Sequence, residues 1–430
     1  MKRSLIVLSR KPKRFPVSKP TFHFVLFLAL GAVLFSSLAS TTALSKKWGF
    51  FGHRRINRMA VFTLPPEMIV FFKKHIEYVT EHAVDPDKRR YATRFEAVRH
   101  YIDIDHWGEY PFPEVPRDWT EALMTYADFY VLDSQGDSLR IMGKDLRTVE
   151  GDNWLYPVGK VDKTIFRDFF REQVQPQYYE DEWALDCEVV RRLLGVSQEW
   201  DCQRVIVVDR FSEYGIVPYH LLKMQYDLTE AFSQRSPDRI LRLSAETGHY
   251  VGDAHVPLHT TENYNGQLTD QVGIHAFWES RIPELFADAE YDFFVGKAEY
   301  IENPKDYYWR IVLDSHQLLD SVLAIEKELS LTFPSDKQYC YDERLGQTLR
   351  IQCREYAAVY QRRMNGMVEQ RMRDAILAIG SAWYTAWVDA GQPDLRALLG
   401  RQPDRRETAE IEELETEYRK GESKGRRHEN

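Results

Sequence analysis

The sequence predicts an all-α fold, a multi-helix domain interrupted by one insertion of mixed structure. Two observations carry this prediction. Apolar residues recur at helical spacing over long stretches, at 307–331 and again at 344–390. Strand-like text is scarce outside one region, about residues 131–212, where 139–142 and 205–208 have the apolar and β-branched composition of strands.

Two further helices have clear start signals. The prolines at 65–66 open a stretch in which apolar residues recur at helical spacing over 68–80. Ser236 is a suitable N-cap, and Pro237 fits the first turn of the helix that follows. Pro257 should end that helix shortly afterwards, because proline disfavours the helical conformation of the residue before it.

The domain limits follow from composition. The helical domain extends over about residues 48–400, with the insertion at 131–212 inside it. From 401 to 430 the chain is a dense mixture of Glu, Arg and Lys with few apolar residues. Such a segment buries too little apolar surface to offset the entropy of ordering, so we expect a disordered tail.

The first 43 residues have the pattern of a secretory signal. Residues 1–20 carry seven Lys or Arg and no acid, residues 22–38 form an apolar run, and small residues suited to cleavage follow. The sequence therefore predicts export to the periplasm or the cell exterior. An uncleaved membrane anchor is the alternative, since the run approaches the length of a membrane span.

The charge balance bears on the partner. The chain has 57 Lys and Arg against 66 Asp and Glu, for a net charge of −9, and loss of the basic leader would make it more acidic. Proteins that bind duplex nucleic acid through its phosphates are usually basic. A partner of that class is therefore disfavoured.

Four cysteines form two pairs that are local in sequence, Cys187 with Cys202 and Cys340 with Cys353. In an exported protein such pairs are compatible with disulfides, and buried free thiols are the alternative. None has the CxxC spacing of a zinc site, so we do not expect them to bind metal.

The most specific motif lies at 249–279. His249 and Asp253 are four residues apart, as are His275 and Glu279, and His259 lies between these pairs. On a helix this interval places both side chains on one face, one turn apart. Neutral imidazole and carboxylate together are a typical donor set for zinc. The motif predicts a metal site with more than one ion.

Further candidate ligands lie upstream. Trp48 and His53 open the mature domain, and Asp85 precedes His100 by 15 residues. Asp87 competes with Asp85 for the same role, and the spacing to His100 favours Asp85. Asp103 and Asp105 follow His100 closely in sequence and could orient a metal-bound imidazole from the outer shell, as could Glu262 after His259.

At these positions the chain resembles the zinc-dependent phospholipase C family and its relatives, the single-strand-specific zinc nucleases. The Gly-Asp-x-His-x-Pro-Leu-His run at 252–259 is the most specific part, and the resemblance covers about residues 48–392 without the insertion. The matching positions, in the family's order, are Trp48, His53, Asp85, His100, His249, Asp253, His259, His275 and Glu279.

The resemblance implies an all-helical fold around three zinc ions. Two ions are expected outright, and the third only if further cleavage makes Trp48 the mature N-terminus. The implied ligands are, for one ion, Asp85, His100, His249 and Asp253; for the second, His259, His275 and Glu279; and for the conditional third, His53, Asp253 and Trp48.

The function that follows is an exported zinc-dependent phosphodiesterase of the phospholipase C type. Water activated by the ions would attack phosphorus in line, with Asp85 as the first candidate to orient or deprotonate it and Glu279 as the second. The implied substrate is a phospholipid, met at a membrane surface, and no obligate protein partner is inferred.

Two alternatives stay open. One is a single-strand-specific nuclease of the endonuclease or 3′-nucleotidase type, acting on single-stranded nucleic acid. Glu279 favours the phospholipase branch and His255 the nuclease branch. The other is a binding protein that zinc stabilises without turnover, although His259, His275 and Glu279 supply only three donors and leave room for water.

Overall fold

The structure is a computed structural model. The residues that it describes are 50–197, 201–344, 347–400 and 405–421, with Ser423, Lys424 and Arg426. The described residues of Lys47–Asp342 and Thr348–Asn430 form one compact unit. The predicted signal segment, 1–43, and Trp48 lie outside the described residues.

The fold is mixed α/β, and the prediction of an all-α protein is wrong. In the described parts of the chain, nine strands form three sheets alongside the helices. Seven of these strands lie between Asp128 and Val208, in the region where the sequence predicts an insertion, and the other two lie between Tyr339 and Gln352. The strands are only three to six residues long, too short for a two-residue alternation to stand out beside long helical periodicities.

The α-helices are numbered here in chain order. They are α1 (Phe50–Ala60), α2 (Pro66–Lys74), α3 (Ile76–Glu81), α4 (Asp85–Arg89), α5 (Trp119–Tyr126), α6 (Lys163–Phe169), α7 (Cys187–Leu193), α8 (Val217–Ser233), α9 (Pro237–Ala254), α10 (Ile274–Ala276), α11 (Ile282–Glu290), α12 (Pro304–Gln317), α13 (Leu319–Thr332), α14 (Arg354–Arg363), α15 (Met367–Asp389) and α16 (Arg405–Lys420). A π-helical turn, Phe277–Arg281, joins α10 to α11. Helix α9 begins at Pro237 as the sequence predicts.

The strands are likewise numbered in chain order. They are β1 (Asp128–Leu132), β2 (Ser138–Met142), β3 (Thr148–Glu150), β4 (Asn153–Tyr156), β5 (Gly159–Asp162), β6 (Trp183–Leu185), β7 (Arg204–Val208), β8 (Tyr339–Arg344) and β9 (Gln347–Gln352). One sheet has the order β2-β1-β7-β6, the second β3-β4-β5, and the third pairs β8 with β9. The pairings β1–β2, β1–β7 and β6–β7 of the first sheet are all antiparallel.

Helix α9 lies at the centre of the helical core. It packs against α8, α15 and α1, and almost all of its side chains after the first turn are buried. A helix enclosed on this many sides must find partners for each polar group that it carries, since an unpaired buried polar group is costly. The buried His249 and Asp253 near its C-terminus therefore need polar partners.

Close packing of α1 on α9 depends on Gly248. A methyl group at this position would overlap Asn57 Oδ1 on α1. The Asn57 amide cannot move away freely, because its Nδ2 donates to Val79 O at 3.1 Å and to Ala245 O at 2.9 Å. The missing side chain at 248 thus allows α1 and α9 to approach and to bring His53 beside the C-terminal turn of α9.

Gly248→Ala should destabilise the fold. We expect the free energy of unfolding to fall by roughly 1–3 kcal/mol, since the added methyl group overpacks a rigid contact. Urea denaturation of the purified protein measures this change. Gly400→Ala is the matched control, because a Cβ there meets no atom within 4 Å. Equal stability of the two variants would contradict the packing argument.

The cysteine pairs are both joined as disulfides. Cys187 pairs with Cys202, with the Cα atoms 6.1 Å apart, and Cys340 pairs with Cys353 at 5.0 Å. The second disulfide closes the β8–β9 hairpin, which corrects the prediction of a helix beginning at 344. That helix begins instead at Arg354 and is interrupted before α15.

Composition predicts a disordered C-terminal tail, but part of this segment is helical. Residues Arg405–Lys420 form α16, which packs against α4. Tyr418 is buried, with its ring 6.1 Å from that of Phe50 and 5.2 Å from that of Tyr91. Burial of the Tyr418 ring thus helps to dock a helix whose other residues are mostly charged.

A search of the described residues for membrane-spanning helices finds none with the length and apolar character needed to cross a bilayer. The apolar run at 22–38 is not among those residues, so export and anchoring stay predictions.

Candidate metal centre

The centre is built around the last turns of α9. His249 and Asp253 are both fully buried and lie one turn apart, with His249 Nε2 3.3 Å from Asp253 Oδ2. The two carboxylate oxygens of Asp253 face different neighbours: Oδ2 lies 2.9 Å from His100 Nδ1, and Oδ1 lies 3.4 Å from His53 Nε2. Asp253 can therefore serve two ions at once.

The first donor set contains His100, His249 and Asp87, with Asp253 Oδ2 beside them. His249 Nε2 lies 3.0 Å from His100 Nδ1, and Asp87 Oδ1 lies 3.8 Å from the former atom and 3.9 Å from the latter. Zinc–ligand bonds of about 2.0–2.2 Å in tetrahedral geometry separate ligand atoms by about 3.3 Å. These spacings are close enough to that value for the four atoms to bind one cation.

Asp85, which the spacing favours as the ligand, is not in this set. Its carboxylate contacts His82 Nδ1 at 2.6 Å and Lys88 Nζ at 3.0 Å. Burial raises the pKa of Asp85, but the hydrogen bond and charge of His82 together with Lys88 outweigh it and lower the pKa overall. The carboxylate that the structure places beside His100 is that of Asp87 instead of Asp85.

The second donor set contains His259, His275 and Glu279. His259 Nε2 lies 3.0 Å from His275 Nε2, and Glu279 Oε2 lies 3.3 Å and 2.8 Å from these two atoms. The three atoms make a compact triangle, as three corners of a tetrahedron do. The π-helical turn between α10 and α11 carries Glu279, and such turns are frequent at functional sites.

His53 on α1 supplies the third set together with His249 and Asp253. The rings of His53 and His249 stack with centroids 3.9 Å apart, and Glu279 Oε1 lies 3.5 Å from His53 Nε2. Within the described part of the chain, both ring nitrogens of His53 and Asp253 Oδ1 are buried without a hydrogen-bond partner. Such atoms cost stability when left unpaired, and a bound cation would satisfy them.

Backbone and carboxylate partners orient the histidine rings. His249 Nδ1 donates to Ala83 O at 2.8 Å, and His259 Nδ1 donates to His100 O at 2.6 Å. Each hydrogen bond leaves the lone pair on Nε2, directed into the centre. His100 is turned the other way, with Nε2 3.6 Å from Glu96 Oε1 and Nδ1 facing the donors.

The electrostatics favour a bound cation. Burial lowers the pKa of His100 and of His249 well below the usual range, so both rings are neutral and can donate lone pairs. Burial, together with the nearby carboxylates of Glu279 and Asp87, raises the pKa of Asp253 well above its ordinary value. A cation would relieve this carboxylate repulsion.

The metal-free protein should lose stability on acidification partly through His275. Burial lowers the pKa of this imidazole to about 4 in the folded protein, against about 6.5 in the unfolded chain. As the pH falls below 6.5 the unfolded chain takes up a proton that the folded state does not, so the ring's contribution to stability is lost toward pH 4.

With chelator present, the free energy of unfolding of wild type should therefore fall by about 2 kcal/mol more than that of His275→Asn between pH 7.5 and pH 5. Urea denaturation at the two pH values measures this difference. Equal losses by the two proteins would contradict the burial of a neutral ring.

His255 is buried next to the centre and is not a member of the three donor sets found among the described residues. Its Nδ1 donates to Val251 O at 2.7 Å, and the ring lines a small cavity beside His53 and Glu279. Arg371 also lines this cavity, and its Nε donates to His255 O at 3.0 Å. The interpretation of His255 as a mark of the nuclease branch stays a prediction.

The structure brings together seven of the nine predicted ligands: His53, His100, His249, Asp253, His259, His275 and Glu279. Trp48 lies outside the described residues, and Asp85 is directed elsewhere. The spacing in the sequence ranks Asp87 below Asp85 as the ligand, and Glu96 is not among the predicted residues. A carboxylate four residues before His100 is a signal that could have indicated the latter.

Comparisons with known proteins do not identify the chain. No protein-family model matches it, and a search of curated proteins finds no match. The resemblance drawn from the motif remains a prediction, and the finding that stands is narrower: buried His, Asp and Glu groups of this chain are placed to hold metal ions.

Proposed function

We propose that the protein is an exported, zinc-dependent phosphodiesterase of the phospholipase C type. The observation that supports this most is the convergence of buried donor sets that share carboxylates. Asp253 faces His100 with one oxygen and His53 with the other, and Glu279 faces His275 and His53 in the same manner. Shared carboxylates are what a cluster of neighbouring cations requires.

Zinc is the proposed metal because the donors are neutral imidazoles and carboxylate oxygens. Imidazole suits zinc and several transition metals, whereas magnesium and calcium prefer oxygen alone. When bound, such ions lower the pKa of water and neutralise charge on phosphoryl oxygens. In the described part of the chain, His259, His275 and Glu279 give their ion three protein donors, which favours a catalytic over a closed structural site.

The protein's own groups then have separate tasks. The backbone acceptors Ala83 O and His100 O hold the His249 and His259 rings in the tautomer that exposes Nε2. Asp85 is a poor proton acceptor, since Lys88 and His82 already occupy its oxygens. Of the two acid–base candidates from the sequence, Glu279 is the one that lies in the centre.

Substrate assays test this proposal. The purified protein, with and without chelator, is assayed on bis-p-nitrophenyl phosphate, on phosphatidylcholine vesicles and on single-stranded DNA. We expect chelator-sensitive hydrolysis of the first two that zinc restores. Hydrolysis of DNA without lipid hydrolysis would favour the nuclease, and bound zinc with no turnover on any substrate would favour the non-catalytic binding protein.

A further inference from the structure

The last described residue of the chain, Arg426, lies against the loops of the metal centre. Its guanidinium carbon is 3.6 Å from the ring centroid of Tyr264 and 4.0 Å from that of Tyr101. Its Nη1 donates to both carboxylate oxygens of Asp103, at 2.9 Å to Oδ1 and 2.6 Å to Oδ2. A cation between two aromatic rings and a carboxylate is strongly held for a surface group. Only 18% of the Arg426 side chain is exposed.

Each partner of Arg426 adjoins a segment that carries a metal donor. Tyr101 directly follows His100, and Thr261 O, which accepts from Arg426 Nη2 at 3.4 Å, lies two residues after His259. The ring of Tyr264 lies 6.0 Å from that of His275. Arg426 thus covers the point where three donor-bearing segments meet.

The backbone of the tail adds further contacts. Arg90 donates to the carbonyl of Arg426, and Arg90 Nη1 lies 3.7 Å from the donor oxygen of Asp87. Lys424 holds the other side, since its backbone N–H donates to Arg90 O at 2.9 Å and its Nζ donates to Ala92 O at 2.9 Å. Helix α16 tethers this contact through the salt bridge of Glu415 to Lys88, at 3.2 Å.

The side of the centre on which Arg426 lies is partly exposed. Here His106 and Glu262 are 32% and 46% exposed. Among the core helices α1, α9 and α15, a small cavity also reaches His53 and Glu279. A substrate that approaches from the tail side must pass Arg426.

The charge of the tail suits this position. Residues 419–427 carry five Lys or Arg and one Glu, whereas all six charged residues of 407–417 are Glu. Of the described residues at this end, Arg426 pairs with the carboxylate of Asp103 at 2.6 Å. Contacts of this kind are strong enough to hold a tail and weak enough to break locally, without unfolding of the core.

We propose that the basic end of the tail, defined here by Lys424 and Arg426 and called the strap, is an autoinhibitory element that covers one face of the metal centre. The strap must leave before a phosphoester can reach the donors from this face. This inference rests on the proposed function for its effect on turnover, but the docking of the strap does not depend on turnover.

The test uses the full-length, zinc-loaded protein and two full-chain variants, Arg426→Ala and Arg426→Lys. Arg419→Ala is the matched control, because Arg419 lies on the same tail and is mostly exposed. Within the described part of the chain it forms a salt bridge only to Glu415, one helical turn away, at 3.5 Å. Two quantities are measured: amide hydrogen exchange at 101–106 and 259–264, and kcat/KM on bis-p-nitrophenyl phosphate. A synthetic peptide of residues 422–430 is then added to Arg426→Ala.

We expect Arg426→Ala to speed amide exchange in both segments and to raise kcat/KM by roughly 3- to 30-fold, the range that loss of cation–π and charge-assisted contacts allows. Arg426→Lys should lie in between, Arg419→Ala should match wild type, and the peptide should reverse the gain. Unchanged exchange in Arg426→Ala overturns the strap. If no protein hydrolyses the substrate, the proposed function fails, and amide exchange alone still decides whether the strap docks.

Discussion

Asp253→Asn is expected to remove metal from two donor sets at once and to lower turnover by at least about 100-fold, more than the loss of an outer-shell partner usually costs. The reason is geometric, because Oδ2 of Asp253 faces His100 and His249 while Oδ1 faces His53. An amide keeps the shape but loses the charge that two neighbouring cations would share. Metal content by mass spectrometry and the rate on bis-p-nitrophenyl phosphate measure both effects.

The control for this substitution lies on the same helix. Glu246→Gln neutralises a buried carboxylate of α9 that pairs with Arg89, outside the donor sets. It should lower stability and leave the number of bound ions unchanged. Equal loss of metal in both variants would mean that any lost charge on α9 disturbs the centre, and the bridging role of Asp253 would be rejected.

In the metal-free protein, by contrast, Asp253→Asn should increase the free energy of unfolding at high pH. Burial and the neighbouring carboxylates raise the pKa of Asp253 in the folded state. The folded state then holds a proton that the unfolded chain releases above its own pKa near 3.9, so wild type loses stability as the pH rises from about 4 toward the folded pKa. In chelator, Asp253→Asn should be the more stable protein at pH 8, and urea denaturation would show it.

The second large effect is expected in metal content, where Asp87→Asn and Asp85→Asn should differ. Asp87→Asn should reduce metal content and lower turnover by roughly 10- to 100-fold or more, because Oδ1 of Asp87 faces both His100 and His249. Asp85→Asn should keep its metal and lose about 1–3 kcal/mol of stability, since it breaks the buried contacts to His82 and Lys88.

Each of these variants is the control for the other, since both neutralise one carboxylate of the same short helix. Metal content after dialysis against metal-free buffer, together with urea denaturation, distinguishes them. If Asp85→Asn loses metal and Asp87→Asn keeps it, the spacing in the sequence was the better guide, and the placement of α4 in the structure is wrong.

The local geometry of the centre could be predicted because helical spacing is local. His249 and Asp253 lie on one face of a helix whose start at Pro237 the sequence indicates, and the contact between His275 and Glu279 follows from the same interval. Neither pair depends on how distant segments fold. Convergence of the pairs with His53 was expected from the resemblance alone.

The choice between Asp85 and Asp87 could not be predicted in the same manner. Both lie on α4, where side chains two residues apart point to opposite sides, so only one can face the centre. Which one does so depends on the rotation of this short helix. The irregular segment between α4 and His100 sets that rotation, and its path cannot be inferred from a count of residues.

The remaining errors have related causes. The β8–β9 hairpin was hidden inside an apolar pattern that suits a helix, and the disulfide between Cys340 and Cys353 closes it. The tail has the composition of a solvated segment, yet Tyr418 and Arg426 each find a partner surface far away in sequence. Composition describes the average of a segment, whereas a few individual contacts decide whether it docks.

The decisive measurement is the metal content of the purified full-length protein by mass spectrometry, with phosphodiester hydrolysis followed before and after chelation. We expect about two to three zinc ions per chain and turnover that is lost with chelator and restored by zinc. A protein without bound metal, or one whose turnover is unaffected by removal of its metal, would contradict the proposed function.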